Sequence, residues 1–461
     1  MQLCITGAGY VGLVTAAVLA DLGHEVMVVE VDPYRLAVLE RGNVPFSEPD
    51  LAPLVRNNIK KGRLDFTADL VAGAAAAEVI IIAVGTPPRQ DGVPDMTAFN
   101  SVVKVLPSLP PRRRVVAVKS TVPVGTGDAL DAFLQQNSLP GQWQVVANPE
   151  FLRQGSAVKD TREADRIVIG ASDPEAAHVL IKLYAPLNRP VLVVDRCSAE
   201  MIKYAANAFL ATKISFINEM AGLCELMGAD IGAVAQGIGM DHRIGPAFLK
   251  AGIGFGGSCL PKDLAALLAL GTSLERPLPL TRAVVQVNEE QKLLLARYLE
   301  FLIGDLQERR IALLGLTFKP GTDDIRSAPA LELLAYLLQR GSRVTAYDPE
   351  ERARRQVARS FPAVTVCDDP YRAAAAAEAI LLLTEWPEFS RLDWRRLRHL
   401  VKRALVLDGR NFLEGPQVEE HGFLYVGIGQ KNYSLRRAGE ICRGRDFLAP
   451  GPVPAGQAAA L

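Results

Sequence analysis

The residues best suited to do chemistry lie in Phe255-Gly256-Gly257-Ser258-Cys259-Leu260-Pro261-Lys262-Asp263. A cysteine attacks as its thiolate, and a helix N-terminus favours that form. Pro261 reads as the first residue of a helix, where a missing amide hydrogen costs nothing. The glycines before Cys259 let backbone and ligand come close. Lys262 supplies a cation, and Asp263 follows one turn later. The competing reading is an inert buried thiol, which suits Cys4 in a core strand and Cys224 on a helix better. Lys203 and Asn207 are four residues apart and share a helix face. They could lie on a solvated face, as Lys213 and Glu219 are expected to, or point into a cleft and stabilise an oxyanion. The five histidines are dispersed, so a cysteine–histidine protease pair has no support in the sequence.

A second constellation is Gly7-Ala8-Gly9-Tyr10-Val11-Gly12, between a strand and an apolar helix. Glycines at this spacing allow a tight turn and bring a pyrophosphate onto the helix N-terminus. Glu30 closes the next strand at the distance expected of a carboxylate that binds both ribose hydroxyls of NAD. Its charge would repel the extra phosphate of NADP, although Arg35 is near. Thr86 in Gly85-Thr86-Pro87, and Thr121 in Lys119-Ser120-Thr121-Val122-Pro123, follow strands at the carboxyl edge where ligands bind, and their hydroxyls could serve the cofactor.

These groups need elements to hold them. Short β-branched runs predict strands at 3–6, 25–29, 79–84, 115–119, 145–147 and 167–169, alternating with helical stretches, as in a parallel doubly wound sheet. The second half echoes the first. Leu3–Gly7 is answered by Ala312–Gly315, Val26–Pro33 by Val344–Pro349, and the alanine run, glutamate and strand at 74–84 by those at 373–383. Between the halves, Ser198 reads as the N-cap of a proline-free helix to Met227, roughly 45 Å long. Further helices are predicted at 261–270 and 279–302. The fold expected is therefore α/β, with two Rossmann-like doubly wound parallel-sheet domains joined by a central long helix. The divisions are 1–197, 198–302 and 303–430, with a Pro/Gly/Ala-rich tail at 431–461 expected to be disordered at its end.

Composition sets the outer bounds. The chain has 461 residues, 51 basic and 51 acidic side chains, and 49% hydrophobic residues. That is ordinary globular composition, and its charge balance argues against a broad nucleic-acid-binding face. No apolar run could span a bilayer. The first residues read as a strand rather than a signal peptide. The six scattered cysteines form no C-x-x-C pair, so no metal site is expected. A soluble cytoplasmic protein is the expectation.

Together these segments, with Asn148-Pro149-Glu150-Phe151-Leu152 and Phe318-Lys319-Pro320-Gly321-Thr322-Asp323-Asp324, resemble the UDP-glucose/GDP-mannose dehydrogenase family from residue 1 to about 430. The resemblance implies an NAD domain, a central helix that dimerises, and a UDP-sugar domain. It further implies oxidation of the C6 alcohol of UDP-glucose to a carboxylate by two NAD and one water, in a homodimer or higher homo-oligomer. Cys259 would be the nucleophile, Lys203 and Asn207 would stabilise oxyanions, and Asp263 and Thr121 would hold a water for proton transfer. Glu150 would act as base or water-orienting group. The sugar nucleotide would contact Glu150, Phe151, Leu152, Arg153, Lys203, Asn207, Phe248, Leu249, Lys250, Gly252, Gly254, Phe255, Gly256, Phe318, Lys319 and Arg410, with Arg243 from a neighbouring subunit. NAD would contact Gly7, Gly9, Tyr10, Val11, Gly12, Glu30, Arg35, Thr86, Thr121, Gln154, Lys262 and Arg326. Two positions depart from the family pattern. Glu30 replaces the usual Asp, and Gln154 replaces the usual Glu, which puts NAD affinity in question. Rival readings are another nucleotide sugar of the same family, such as GDP-mannose or a UDP-N-acetylhexosamine, and a non-catalytic NAD sensor.

Overall fold

The computed structural model describes residues 1–430; the tail at 431–461, with Cys442, lies outside the described residues. The chain forms two compact units. Among the described residues, one comprises Met1–Ala206 and Ala265–Glu275, the other Asn207–Leu264 and 276–430.

The first unit carries an eight-stranded sheet. Its strands are β1 (Gln2–Thr6), β2 (Glu25–Val29), β3 (Leu64–Thr67), β4 (Val79–Ile82), β5 (Arg114–Val118), β6 (Trp143–Ala147), β7 (Ile167–Ala171) and β8 (Val191–Val194), in the order β3-β2-β1-β4-β5-β6-β7-β8. Strand β4 is buried on both faces, which is why it reads as an unbroken apolar run. Alternate residues feed two cores: Leu3, Ile5 and Ile81 pack on one face, Cys4, Ile80 and Ile82 on the other. All neighbouring pairs are parallel except β6–β7, which is antiparallel and departs from the expected wholly parallel sheet.

The second unit carries a six-stranded, all-parallel sheet. It comprises β9 (Arg310–Leu314), β10 (Arg343–Tyr347), β11 (Thr365–Val366), β12 (Ala379–Leu382), β13 (Leu405–Asp408) and β14 (Leu424–Gly427), ordered β11-β10-β9-β12-β13-β14. That is the order of the first six strands again, so the echo in the sequence is a repeated fold. The repeat reaches single atoms. Gly7 N–H donates to Val29 O at 2.8 Å, and Gly315 N–H to Tyr347 O at 2.8 Å. Both glycines have positive φ, +92° and +96°. Ala8 N–H then donates to Glu30, as Leu316 N–H does to Asp348.

Helix ends differ from expectation in instructive ways. The central helix is Arg196–Met227, 32 residues, and Ser198 lies inside it rather than at its cap. Asp195 takes that role, accepting Ser198 N–H at 2.8 Å and Ser198 Oγ at 2.6 Å, as a carboxylate before a helix does. The helix expected at 279–302 is two, Pro279–Lys292 and Leu294–Ile303. The helix after Cys259 runs Leu260–Ser273, so Pro261 is its second residue. Besides β11, β13 and β14 of the second sheet, two strands of the first were not expected. Strand β3 alternates buried and exposed residues, and β8 is an edge strand largely open to solvent. Neither has the pattern of a strand buried on both faces.

Candidate active site

The glycine-rich turn in the first unit is shaped for a dinucleotide. A Cβ on Gly12 would stand 1.9 Å from Gly7 O, so the helix can approach the strand only with glycine there. A Cβ on Gly9 would meet nothing within 4 Å, and no side chain caps the helix Tyr10–Asp21 that starts beyond it. A helix N-terminus without a side-chain cap, approached through glycines, is suited to a phosphate. Glu30 is buried and accepts Ala8 N–H at 3.1 Å and Asp32 N–H at 2.9 Å. Its carboxylate thus stands at the mouth of the turn, while Arg35 is exposed on the helix beyond. Thr86 Oγ1 donates to Thr121 O at 2.7 Å, tying together the loops after β4 and β5. These features fit NAD. Near Gln154, a residue not anticipated, Glu48, accepts Gly155 N–H and Ala157 N–H, each at 2.7 Å.

The same unit buries an ionic cluster. Glu150 and Lys203 are 6% and 3% exposed and pair at 2.8 Å. Glu150 also accepts Leu152 N–H at 2.5 Å. Burial by itself would raise the Glu150 pKa. The charge and hydrogen bond of Lys203, the Leu152 amide and the charge of Lys119 outweigh it, so the carboxyl lies below its usual range. The Phe151 ring lies 3.7 Å from the Arg166 guanidinium and 5.6 Å from Lys203 Nζ. Lys203 therefore faces a buried carboxylate and an aromatic ring, not solvent. Thr121, Pro149, Glu200 and Lys203 line one small cleft. Glu200, also unanticipated, accepts Gly125 N–H and Gly127 N–H at 2.6 and 2.7 Å and so holds the loop that bears Thr121.

In the second unit Cys259 is half-buried immediately before the helix Leu260–Ser273, and its carbonyl accepts Asp263 N–H at 2.9 Å. Asp263, 2% exposed, accepts Asn207 Nδ2–H and Lys262 Nζ–H, each at 2.5 Å. Asn207, Lys262, Asp263 and the start of the cysteine's helix are thus brought together. Cys4 and Cys224 are core residues, and burial pushes the Cys4 thiol up to about 12.

The loop before Cys259 is braced by its own chain. A Cβ would stand 2.9 Å from Gly409 O at Gly252, 2.1 Å from Ser327 O at Gly256 and 2.7 Å from the Phe318 ring at Gly257. Phe248 has φ +63°, in the left-handed region that a bulky residue rarely occupies. Asn288 grips Phe255 through both N–H (2.8 Å) and C=O (3.1 Å), and Asn218 accepts Gly252 N–H at 2.9 Å. No motif marks either asparagine in the sequence, since each lies in an otherwise ordinary helix. Leu249 and Phe255 turn their side chains into cores. Arg410 donates to the carbonyls of Leu383, Gly254 and Phe318 at 2.8, 3.2 and 3.1 Å, a strut across three segments. Lys319 lies over Phe318 and Lys250 over Phe412. Arg153, Arg243 and Arg326 are exposed, paired with Asp160, Asp241 and Asp324. Lys213 is not merely solvated: it donates to the carbonyls of Ile244 and Gly245, at 3.1 and 3.3 Å.

Family models of the UDP-glucose/GDP-mannose dehydrogenase family match along the chain. The NAD binding domain matches residues 1–188, the central domain 197–290 and the UDP binding domain 312–415. The chain is 44% identical to a UDP-glucose 6-dehydrogenase of Rhizobium meliloti, covering 93% of this chain and 100% of that one. It is 46% identical to a UDP-glucose 6-dehydrogenase of Pseudomonas aeruginosa, covering 93% and 98%. Among solved structures, a UDP-glucose dehydrogenase from the archaeon Pyrobaculum islandicum superposes with a TM-score of 0.86 at 37% identity, covering 93% of this chain and 97% of that one.

Proposed function

Because the chain belongs to the UDP-glucose/GDP-mannose dehydrogenase family, we propose that it oxidises the C6 alcohol of UDP-glucose to the carboxylate of UDP-glucuronate with NAD. The observation that carries this reading is near-complete coverage, at 44% and 46% identity, of two proteins named for that activity. NAD supplies a hydride acceptor when bound, and Gly7, Gly9, Gly12, Glu30, Thr86 and Thr121 would hold it.

The chain's own residues do the rest. Cys259 adds its sulfur to the C6 aldehyde carbon, and the thiohemiacetal holds a reactive intermediate in place between the two oxidations. The Lys203 ammonium and the Asn207 amide donate to the oxygen as negative charge develops on it. Asp263, which accepts from Asn207 and Lys262, orients that amide. After the second oxidation the sulfur is acylated. Glu150, kept ionised by Lys203, orients or deprotonates the water that cleaves the thioester.

The assembly we propose is at least a dimer. Phe209, Phe216 and Leu223 recur every seven residues on the central helix and are 67%, 46% and 53% exposed, an apolar stripe suited to a second copy. Arg243 would then serve the neighbouring site. The functional division at 1–197, 198–302 and 303–430 belongs to the same proposal, as does a cytoplasmic location. No helix among the described residues is long and apolar enough to cross a membrane.

The test is NADH release by purified protein. UDP-glucose should give the highest kcat/KM, with two NADH per sugar, and NADP should substitute poorly for NAD. A higher kcat/KM for GDP-mannose or UDP-N-acetylmannosamine would reassign the substrate.

A further inference from the structure

Lys119 follows β5 and is 8% exposed. Its ammonium has one hydrogen-bond acceptor among the described residues, Asn148 Oδ1, at a long 3.3 Å. That oxygen already accepts the Tyr184 hydroxyl at 2.7 Å, and Asn148 Nδ2 donates to Val168 O at 2.9 Å. Asn148 would therefore stay anchored without the lysine. One shared, long hydrogen bond does not offset the burial of an ammonium, which a methionine of similar length would avoid. The remaining compensation is electrostatic: the ammonium lies 5.7 Å from the Tyr184 ring centroid, and the charge of Glu150, two residues beyond Asn148 on the same turn, acts on it.

We propose that Lys119 is a positioning residue for the reaction, a second buried cation that with Lys203 keeps the Glu150 carboxylate ionised while steadying Asn148 at the head of the 148–152 turn. The inference rests on the reading that Glu150 serves thioester hydrolysis. The groups around Lys119 can be named. Glu150 lies on the turn, Lys203 on the central helix, and the Tyr184 phenol, whose pKa burial raises, on the helix Pro174–Tyr184. Strand β7 presents a backbone carbonyl, and Glu200 lines the adjoining cleft. Burial, and secondarily Lys203, hold the Lys119 pKa down to about 8 against the pull of Glu150, and Lys119 in turn lowers that of Glu150. One carboxylate thus works under two cations, each of which disfavours the other.

The test titrates Glu150 directly. Infrared difference spectra between the chain and its Glu150→Gln variant report the protonation of this carboxyl with no need for turnover. The titration is repeated with Lys119 replaced by Met, Gln or Arg. Lys119→Met and Lys119→Gln should raise the Glu150 midpoint by about one pH unit, and Lys119→Arg should restore it. Lys119→Gln retains a donor for Asn148, so it separates charge from hydrogen bonding and serves if the Met variant does not fold. The acid limb of kcat with UDP-glucose should move with the midpoint. A midpoint unchanged in the neutral variants would overturn the proposal. Failure of the unmodified chain to release NADH from UDP-glucose would instead overturn the functional reading, and the infrared titration would still decide whether Lys119 governs the charge on Glu150.

Discussion

Cys259, Cys4 and Cys224 carry the same functional group in three environments, and environment decides what each does. Cys259 heads a helix and is half-buried, whereas Cys4 is closed in a sheet and Cys224 in a core. Cys259→Ala should still bind UDP-glucose and NAD, because the sulfur serves chemistry rather than binding. Conversion to the acid should fall by about a thousandfold or more, as when a nucleophile is lost elsewhere. Cys4→Ala and Cys224→Ala should lower thermal stability and leave turnover intact. Steady-state NADH release, with mass spectrometry of protein trapped during turnover, distinguishes these outcomes. Two NADH per UDP-glucose at a near-normal rate from Cys259→Ala would remove Cys259 from the mechanism. At this scale much was legible, because a cysteine after two glycines and before a helix start is a local pattern. Glu48, Glu200, Asn218 and Asn288 were not legible, since their backbone partners lie 33 to 109 residues away.

At the scale of elements, the two sheets share a strand order but not a binding site. Glu30 closes β2 beside a helix whose first turn has no side-chain cap. Its counterpart, Asp348, is sealed: it accepts the N–H groups of Leu316 and Thr317, the Thr317 hydroxyl and the Trp386 indole N–H. Those four donors share Oδ2, Oδ1 accepts Glu350 N–H at 2.9 Å, and the residue is fully buried, so no oxygen is open to a ribose and the repeat of the turn is a repeat of architecture. Gly315 separates the two roles. With φ +96°, and with a Cβ position 2.5 Å from the Thr384 Cβ, it tolerates no side chain. Gly315→Ala should lower stability by roughly 2 kcal/mol or more and leave the KM for NAD unchanged. Chemical denaturation and NAD kinetics of the same variant check this, and a raised KM for NAD with stability intact would contradict it. The central strands were readable because burial on both faces makes them apolar throughout. Strands β3 and β8, at the sheet edges, escape that rule.

Over the whole molecule, two expectations follow from what is exposed and what is charged. The stripe Phe209, Phe216 and Leu223 should be covered by a second copy, so the protein should sediment as a dimer or larger, and Phe216→Asp should dissociate it. A fully active monomer would contradict that assembly. Lys119 makes stability depend on pH. Its folded pKa, about 8, lies below its ordinary value of 10.5, so between those limits the unfolded chain binds more protons. The penalty of burying the charge is complete below pH 8 and is relieved as pH rises toward 10.5. Relative to Lys119→Met, the wild-type chain should therefore gain stability from pH 8 to 10. A difference in denaturation midpoint that stays flat over that range would show that the buried Lys119 keeps its proton up to pH 10, with its pKa not lowered by burial.

What the sequence determined by itself is whatever depends on near neighbours along the chain. That includes the glycine turn with its acidic partner, the cysteine at a helix start, the periodicity of buried strands and the repeat of Gly7 by Gly315. Local sterics and burial act over a few residues and leave a pattern that can be read directly. The tertiary structure alone decided which charged groups meet. Glu150 and Lys203 are 53 residues apart in the chain, Asn207 and Asp263 are 56, and Gly254 and Arg410 are 156. Whether a lysine is a solvated surface group or a buried cation against a carboxylate depends on desolvation. Desolvation is set by what packs around the residue, and that is a property of the folded chain.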